Sequence, residues 1–144
     1  MLICDLLKNQ TIIASEAHQT VLEVAHLMVD HNIGAVPVLQ KGQLVGIFSE
    51  RDLMNRVLVG GKDPAHTPVS QVMTEDPMTV RPEDSLETCM TLMRRHGFRH
   101  LLVCSDRQLQ GMVSLRDILL HDLNEKDDEV RMMRAYLHST PEAG

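Results

Sequence analysis

The sequence predicts an α+β fold assembled from two copies of one βαββα-type unit. Three observations carry that prediction: an internal repeat at a fixed offset, helix-period apolar stripes bounded by capping residues, and paired strand-like runs joined by short turns. The offset is 65 residues. It carries Leu27-Met28 onto Leu92-Met93, His31 onto His96, Val38 onto Val103, Gly46 onto Gly111, and Ser49, Arg51 and Asp52 onto Ser114, Arg116 and Asp117. From Thr20 to Leu58 the alignment needs no gap. Upstream a small gap is expected, because the interval Ile13–Val21 is longer than Val80–Leu86.

Each element follows in order. Short strands are expected around Thr11–Ala14 and Met78–Val80. Thr20-Val-Leu-Glu23 and Asp84-Ser-Leu-Glu87 have the form of capping boxes, opening helices whose apolar residues (Val21, Val24, Ala25, Met28; Leu86, Cys89, Met90, Met93) recur at helical spacing. Asn32 and Gly97 stand where a left-handed cap would end each helix. Ala35–Leu39 with Leu44–Phe48, and Leu101–Cys104 with Leu109–Val113, read as hairpins turning at Lys41-Gly42 and Ser105–Arg107. A further helix begins at Ser49 and again at Ser114. Thr67-Pro68 reads as a cap and first-turn proline opening a short helix through Met73. The domain division is therefore residues 1–60, a linker at 61–68, 69–123, and a tail at 124–144. Asn124–Glu129 of the tail is strongly charged, Val130, Met133, Tyr136 and Leu137 share one helical face, and Ser139–Gly144 are expected to fray.

Composition narrows the function. The chain holds 144 residues, 43% of them apolar, with no Trp, one Tyr, two Phe and ten Met. Its core is thus aliphatic. Methionine adapts to irregular cavities, although ordinary packing accounts for it as well. A net charge of −6 argues against general nucleic-acid binding. No apolar run is long enough to span a membrane and no secretory leader is visible, so a cytoplasmic protein is expected. Cys4, Cys89 and Cys104 fit neither a disulfide framework nor zinc-ligand spacing. No nucleophile–base pair, glycine-rich phosphate loop or metal cluster is present. His96 and His100 are four apart, but Gly97 interrupts them. Neither an enzyme nor a metal site is expected.

One phrase does carry chemistry. A strand runs into Ser49-Glu-Arg-Asp52 in the first copy and Ser114-Leu-Arg-Asp117 in the second. Capping alone explains the serines and aspartates. It does not explain Arg51 and Arg116, since a cation in a helix's first turn opposes the macrodipole by about 0.3–1 kcal/mol. A hydroxyl, a guanidinium and free backbone N–H groups suit a phosphate, and a carboxylate one turn in suits a ribose diol. By spacing alone, anion binding and plain surface charge both remain open.

Each half resembles a cystathionine-β-synthase (CBS) domain, and the whole resembles a stand-alone CBS pair. The resemblance covers roughly residues 3–123. It rests on Ile33-Gly-Ala-Val-Pro-Val38, Leu44-Val-Gly-Ile-Phe-Ser-Glu-Arg-Asp-Leu53, Val72-Met-Thr74, Met78-Thr-Val-Arg-Pro82, Gly97-Phe-Arg-His-Leu-Leu-Val103 and Gly111-Met-Val-Ser-Leu-Arg-Asp-Ile118. It implies two units related by a pseudo-twofold axis with two clefts that take AMP, ADP, ATP, NAD(H) or S-adenosylmethionine. Carried over, the first cleft comprises Ile13, Ile33, Gly34, Ala35, Val36, Pro37, Ser49, Arg51 and Asp52. The second comprises Val80, Phe98, Arg99, His100, Leu101, Ser114, Arg116 and Asp117. The aspartates would hold ribose, the serines and basic groups phosphate, and the remainder adenine. Leu102 stands where the pattern has proline, and Arg99-His100 replaces the small Gly34-Ala35. The clefts should therefore differ, with the Asp52 side favoured for adenosine. The implied function is allosteric sensing of an adenine nucleotide, in a homodimer read by a separate effector protein. The alternative is a dimerisation or partner-binding module with vestigial clefts.

Overall fold

The computed structural model describes residues 2–7, 10–121 and 130–134. Among these, the first unit forms a four-stranded sheet in the order β1-β2-β3-β4 and the second a three-stranded sheet in the order β5-β6-β7. The first sheet comprises β1 (Ser15–Glu16), β2 (Ala35–Gln40), β3 (Gln43–Ser49) and β4 (Thr74–Glu75). The second comprises β5 (Thr79–Val80), β6 (His100–Ser105) and β7 (Gln108–Ser114). β1 and β5 lie parallel to the first strand of each hairpin, so a helix crosses over between them: α1 (Val21–His31) and α3 (Leu86–His96). The strand at the start of the first unit falls at 15–16 rather than 11–14. The residues before it run as irregular chain.

The 65-residue offset holds further than the sequence suggested. Ser15 pairs with Val38 and Val80 with Val103, so Ser15 corresponds to Val80 and Ile13 to Met78. No gap is needed. The expected gap rested on pairing Ile13 with Val80, and the helix caps keep the same register as the strands: the cap of α3 is Ser85, accepting from the Thr88 N–H at 3.1 Å, and it corresponds to Thr20, which caps α1 through the Glu23 N–H. Asp84 instead accepts from the Arg81 N–H.

Both helices end as the sequence predicts. Asn32 (φ 52°) and Gly97 (φ 71°) adopt the left-handed cap, and their N–H groups return to carbonyls of the last turn. Both hairpins turn on two residues of positive φ, Lys41-Gly42 and Asp106-Arg107, the type I′ twist that matches paired strands. Ser49 caps α2 (Glu50–Asp52), which widens into a π-helical stretch, Leu53–Leu58. Ser114 opens the equivalent helix α4, residues 115–121.

Two straps cross between the units. The turn Ile3–Leu7 is 3-10 helical, and fully buried Ile3 packs into the core of the second unit with Cys89, Leu101, Val103 and Ile118. Val69, in the 3-10 turn Val69–Gln71, packs into the core of the first with Val36, Val38 and Phe48. The anchoring bonds repeat as well: the Ile3 N–H donates to the Asp84 carbonyl and the Val69 N–H to the Gln19 carbonyl, both at 2.8 Å. This second turn begins one residue later than Thr67-Pro68 implied, because Thr67 is buried and Pro68 stays extended. Each strap holds its neighbour with one full apolar burial, worth about 2 kcal/mol. Gly46 and Gly111 mark where the straps pass. A Cβ at Gly46 would meet the Met73 sulfur at 2.5 Å, and one at Gly111 would meet the side-chain oxygen of Gln10.

Residues 130–134 are helical with Val130 and Met133 exposed; Tyr136, Leu137, the charged run at 124–129 and the final residues lie outside the described residues.

Candidate functional site

A cavity of about 600 Å³ opens between the units, within the size range of small-molecule sites. One wall comes from the first unit: Gln10 through Ile13, then Asn32, Ile33 and Gly34. The facing wall comes from the second: His100, Met112, Ser114, Arg116, Asp117 and Leu120. The cavity thus regroups the residues expected from sequence. Ile13, Ile33 and Gly34 face Asp117, whereas the sequence reading set them beside Asp52. Crossing of the straps explains this, since the chain before β1 lies along β7. There the Gln10 side-chain amide imitates a strand partner, donating to the Met112 carbonyl at 2.9 Å and accepting its N–H at 3.1 Å.

Several expected residues face the core instead. Ala35, Val36 and Leu101 have no exposed surface, Pro37 is buried in β2, and Val80 is 2% exposed among Cys89, Leu101 and Val113. Val80 corresponds to the buried Ser15, not to the cavity-lining Ile13, which removes it as a wall residue. Arg51 and Arg99 are exposed. Phe98 is 41% exposed and stacks on the His96 ring at 5.5 Å, outside this cavity. Sequence reasoning did not single out Gln10, Thr11, Ile12, Asn32, Met112 and Leu120 as lining residues.

The two aspartates differ in what they hold. Asp52, 7% exposed, accepts on Oδ2 from the Ser49 N–H (3.0 Å) and Ser49 hydroxyl (3.1 Å). On Oδ1 it accepts from the Thr74 hydroxyl at 3.1 Å and faces Arg56 Nε at 3.7 Å. Arg56 in turn donates to the Met73 carbonyl. Asp117 is exposed, and Oδ2 accepts the Ser114 N–H at 3.3 Å. Among the described residues no hydrogen bond reaches Asp117 Oδ1, and Asp117 lines the cavity.

His100 is half-buried beside Asp117. Burial lowers its pKa, outweighing the upward pull of Asp117 and Glu50, and Arg99 acts in the same direction as burial. The imidazole is therefore neutral at pH 7, able to donate from one nitrogen and accept at the other. Gly97 ends α3 between His96 and His100, so the two rings sit on different elements. Burial, helped by Asp84, pushes the Cys89 thiol up to about 11, and burial raises Cys104 too. Neither supplies a thiolate at neutral pH. Among the described residues no group of three or more His, Cys, Asp or Glu is placed to hold a metal ion, and no helix is long and apolar enough to cross a membrane.

A family model described as "CBS domain" matches the chain twice, over residues 9–59 and 69–124. The chain belongs to the CBS-domain family. As a CBS pair it is 37% identical over 109 residues to the CBS domain-containing protein YhcV of Bacillus subtilis, covering 76% of this chain and 77% of that protein. It is 34% identical over 123 residues to the mitochondrial CBS domain-containing protein CBSX3 of Arabidopsis thaliana, covering 82% of this chain but only 60% of that one. Among solved structures, the CBS domain protein PAE2072 of Pyrobaculum aerophilum complexed with AMP matches with a TM-score of 0.75 and 25% identity, covering 84% of this chain and 97% of that chain.

Proposed function

We propose that this CBS pair is a non-catalytic regulatory module whose cavity at Asp117 takes one adenosine-type ligand (AMP, ADP, ATP or NAD(H)). The observation that carries the reading is Asp117, whose Oδ1 accepts no hydrogen bond among the described residues, lining a cavity faced on its far side by apolar Ile33 and by Gly34. Asp117 holds the ribose hydroxyls, Ser114 and Arg116 meet phosphate, and Ile12, Ile13 and Ile33 sandwich the base. That a relative of similar fold is complexed with AMP supports the ligand class. Because the two walls belong to different units, a ligand bridging them favours one packing of the pair over another, which is the requirement for allosteric output. A second copy of the chain seats on the exposed apolar residues Met54, Leu58, Val59, Leu119 and Leu120, and a separate effector protein reads the change.

A vestigial reading applies to the other side. Asp52 already has Ser49, Thr74 and Arg56 around it, so a ribose there would have to displace an internal network.

Thermal shift with AMP, ADP, ATP, NAD and NADH tests both readings in protein stripped of nucleotide. A ligand at a hundred times its Kd adds about 2.7 kcal/mol, a Tm rise of roughly 5–10 °C. Asp117→Ala loses a charged hydrogen-bond acceptor, about 1.5–3 kcal/mol of affinity, and with it most of the rise; Asp52→Asn keeps the rise. A response lost in Asp52→Asn and kept in Asp117→Ala would reverse the assignment. No response to any nucleotide would leave the partner-binding module.

A further inference from the structure

Among the described residues, His100 is the one titratable group lining the cavity that has no counterpart in the repeat. The 65-residue offset places Ala35 at its position, fully buried and uncharged. It stands at the start of β6, paired across the hairpin with Ser114, and shares the cavity wall with Ser114 and Arg116, which meet a phosphate in the reading above. The charged groups around it come from three places. Asp117 is on α4, Glu50 is on α2 across the unit boundary, and Arg99 precedes it in the chain, while Arg116 of α4 lines the same cavity. Glu50 is held there by its own backbone, whose N–H donates to the Gly34 carbonyl at 3.0 Å. Asp117 and Glu50 pull the pKa of the ring up and Arg99 pulls it down, but burial outweighs the carboxylates and leaves the imidazole neutral at pH 7.

A phosphate changes that balance. It adds negative charge beside the ring without adding a new cation, and a doubly protonated imidazole can then donate to it. We propose that His100 makes occupancy proton-linked: a phosphate-bearing ligand enters the Asp117 cavity together with one proton, which His100 takes up from solvent, while an unphosphorylated nucleoside enters without it. No bond is made or broken beyond the N–H, and the proton comes from the buffer. The cavity thereby reads phosphate and pH jointly, so the same nucleotide concentration gives higher occupancy in a more acid compartment. This rests on the adenosine-ligand reading of the cavity.

The test is calorimetric titration of the intact chain with AMP and with adenosine near pH 7, in two buffers of different ionisation heat. AMP is expected to bind with net uptake approaching one proton and adenosine with none. AMP affinity should rise as pH falls from 8 towards 6.5, by up to about tenfold per pH unit. His100→Asn removes the uptake, whatever affinity it retains, and thereby separates the imidazole from the phosphate's own ionisation. Should that variant fold or bind poorly, the ring signal of His100 in the wild-type protein, followed by NMR against pH, should titrate at higher pH with AMP than without. Binding of AMP with no uptake, equal uptake for adenosine, or an unmoved ring titration overturns the linkage and leaves the cavity assignment standing. Absence of AMP binding overturns both.

Discussion

The same four-residue phrase occurs at Ser49–Asp52 and at Ser114–Asp117, and in the first it is a brace while in the second it faces an open cavity. The cap itself is common to both. Ser49 and Ser114 each accept an N–H from the aspartate three residues on, at 3.3 and 3.0 Å, and each aspartate accepts the serine N–H in return. The capping box is local, so duplication copied it intact. What surrounds it was free to diverge. At Asp52 β4 supplies Thr74 and the next turn supplies Arg56, which ties the carboxylate to the Met73 carbonyl just past the Val69–Gln71 strap. At Asp117 the facing wall is Gly34 and the isoleucines. Capping is a property of the phrase. Ligand competence is a property of the other half of the molecule.

That contrast is open to a stability measurement, where the largest difference is expected. Asp52→Ala strands the Thr74 hydroxyl, the Ser49 N–H and a partly exposed guanidinium around a buried position. It should cost about 2–3 kcal/mol, read as a fall in the urea midpoint without ligand. Asp117→Ala removes a cap in an exposed position and should cost about 1 kcal/mol or less. Equal losses would mean that Asp52 is no more braced than its copy.

Exchanging wall residues sharpens the comparison at smaller cost to the fold. Gly34 has negative φ, and a Cβ there would find only the end of the flexible Glu50 side chain, at 3.5 Å. Gly34→Arg therefore installs the residue of the other copy, Arg99, with a Tm change of a few degrees at most. It should abolish the nucleotide-induced Tm rise by filling the cavity. The reverse exchange, Arg99→Gly, made in the Asp117→Ala background that has lost the wild-type response, should create none, because Asp52 remains occupied. A response appearing in that double variant would show that bulk at the wall, rather than the network on Asp52, is what distinguishes the copies.

Much of this architecture was legible in the chain. The left-handed caps at Asn32 and Gly97, the two hairpins and the helix starts at Ser49 and Ser114 are local, and each is set by residues within a few positions of one another. The fold family was legible because the ordered set of short phrases occurs twice. The grouping of residues into clefts was not. It depends on the straps crossing between units, and nothing in Ile3–Leu7 or Val69–Gln71 says which sheet it will cover. The short strand before each helix was misplaced as well: setting Val80 opposite Ile13 introduced a gap, whereas Val80 corresponds to Ser15. The brace on Asp52 was equally invisible, since Thr74 lies 22 residues away.

The smallest effect expected is one of pH, and it belongs to the second unit alone. Burial lowers the pKa of His100 in the folded chain, against Asp117 and Glu50, while in the unfolded chain the imidazole titrates near its ordinary value, about 6.5. As pH falls through that value the unfolded chain takes up a proton that the folded one resists. Stability contributed by the neutral ring is thus complete above about pH 6.5 and is lost progressively as pH falls towards the lower folded pKa. The sequence holds seven other histidines, so the quantity to follow is the difference between wild type and His100→Asn in urea midpoint at pH 7.5 and pH 5.5. Wild type should lose more stability than the variant over that interval without ligand. With AMP at saturation the difference should shrink or reverse, because a protonated ring beside a phosphate is stabilised rather than stranded. Parallel losses in the two proteins would place His100 in ordinary solvent, and the second unit would then differ from the first in its carboxylate alone.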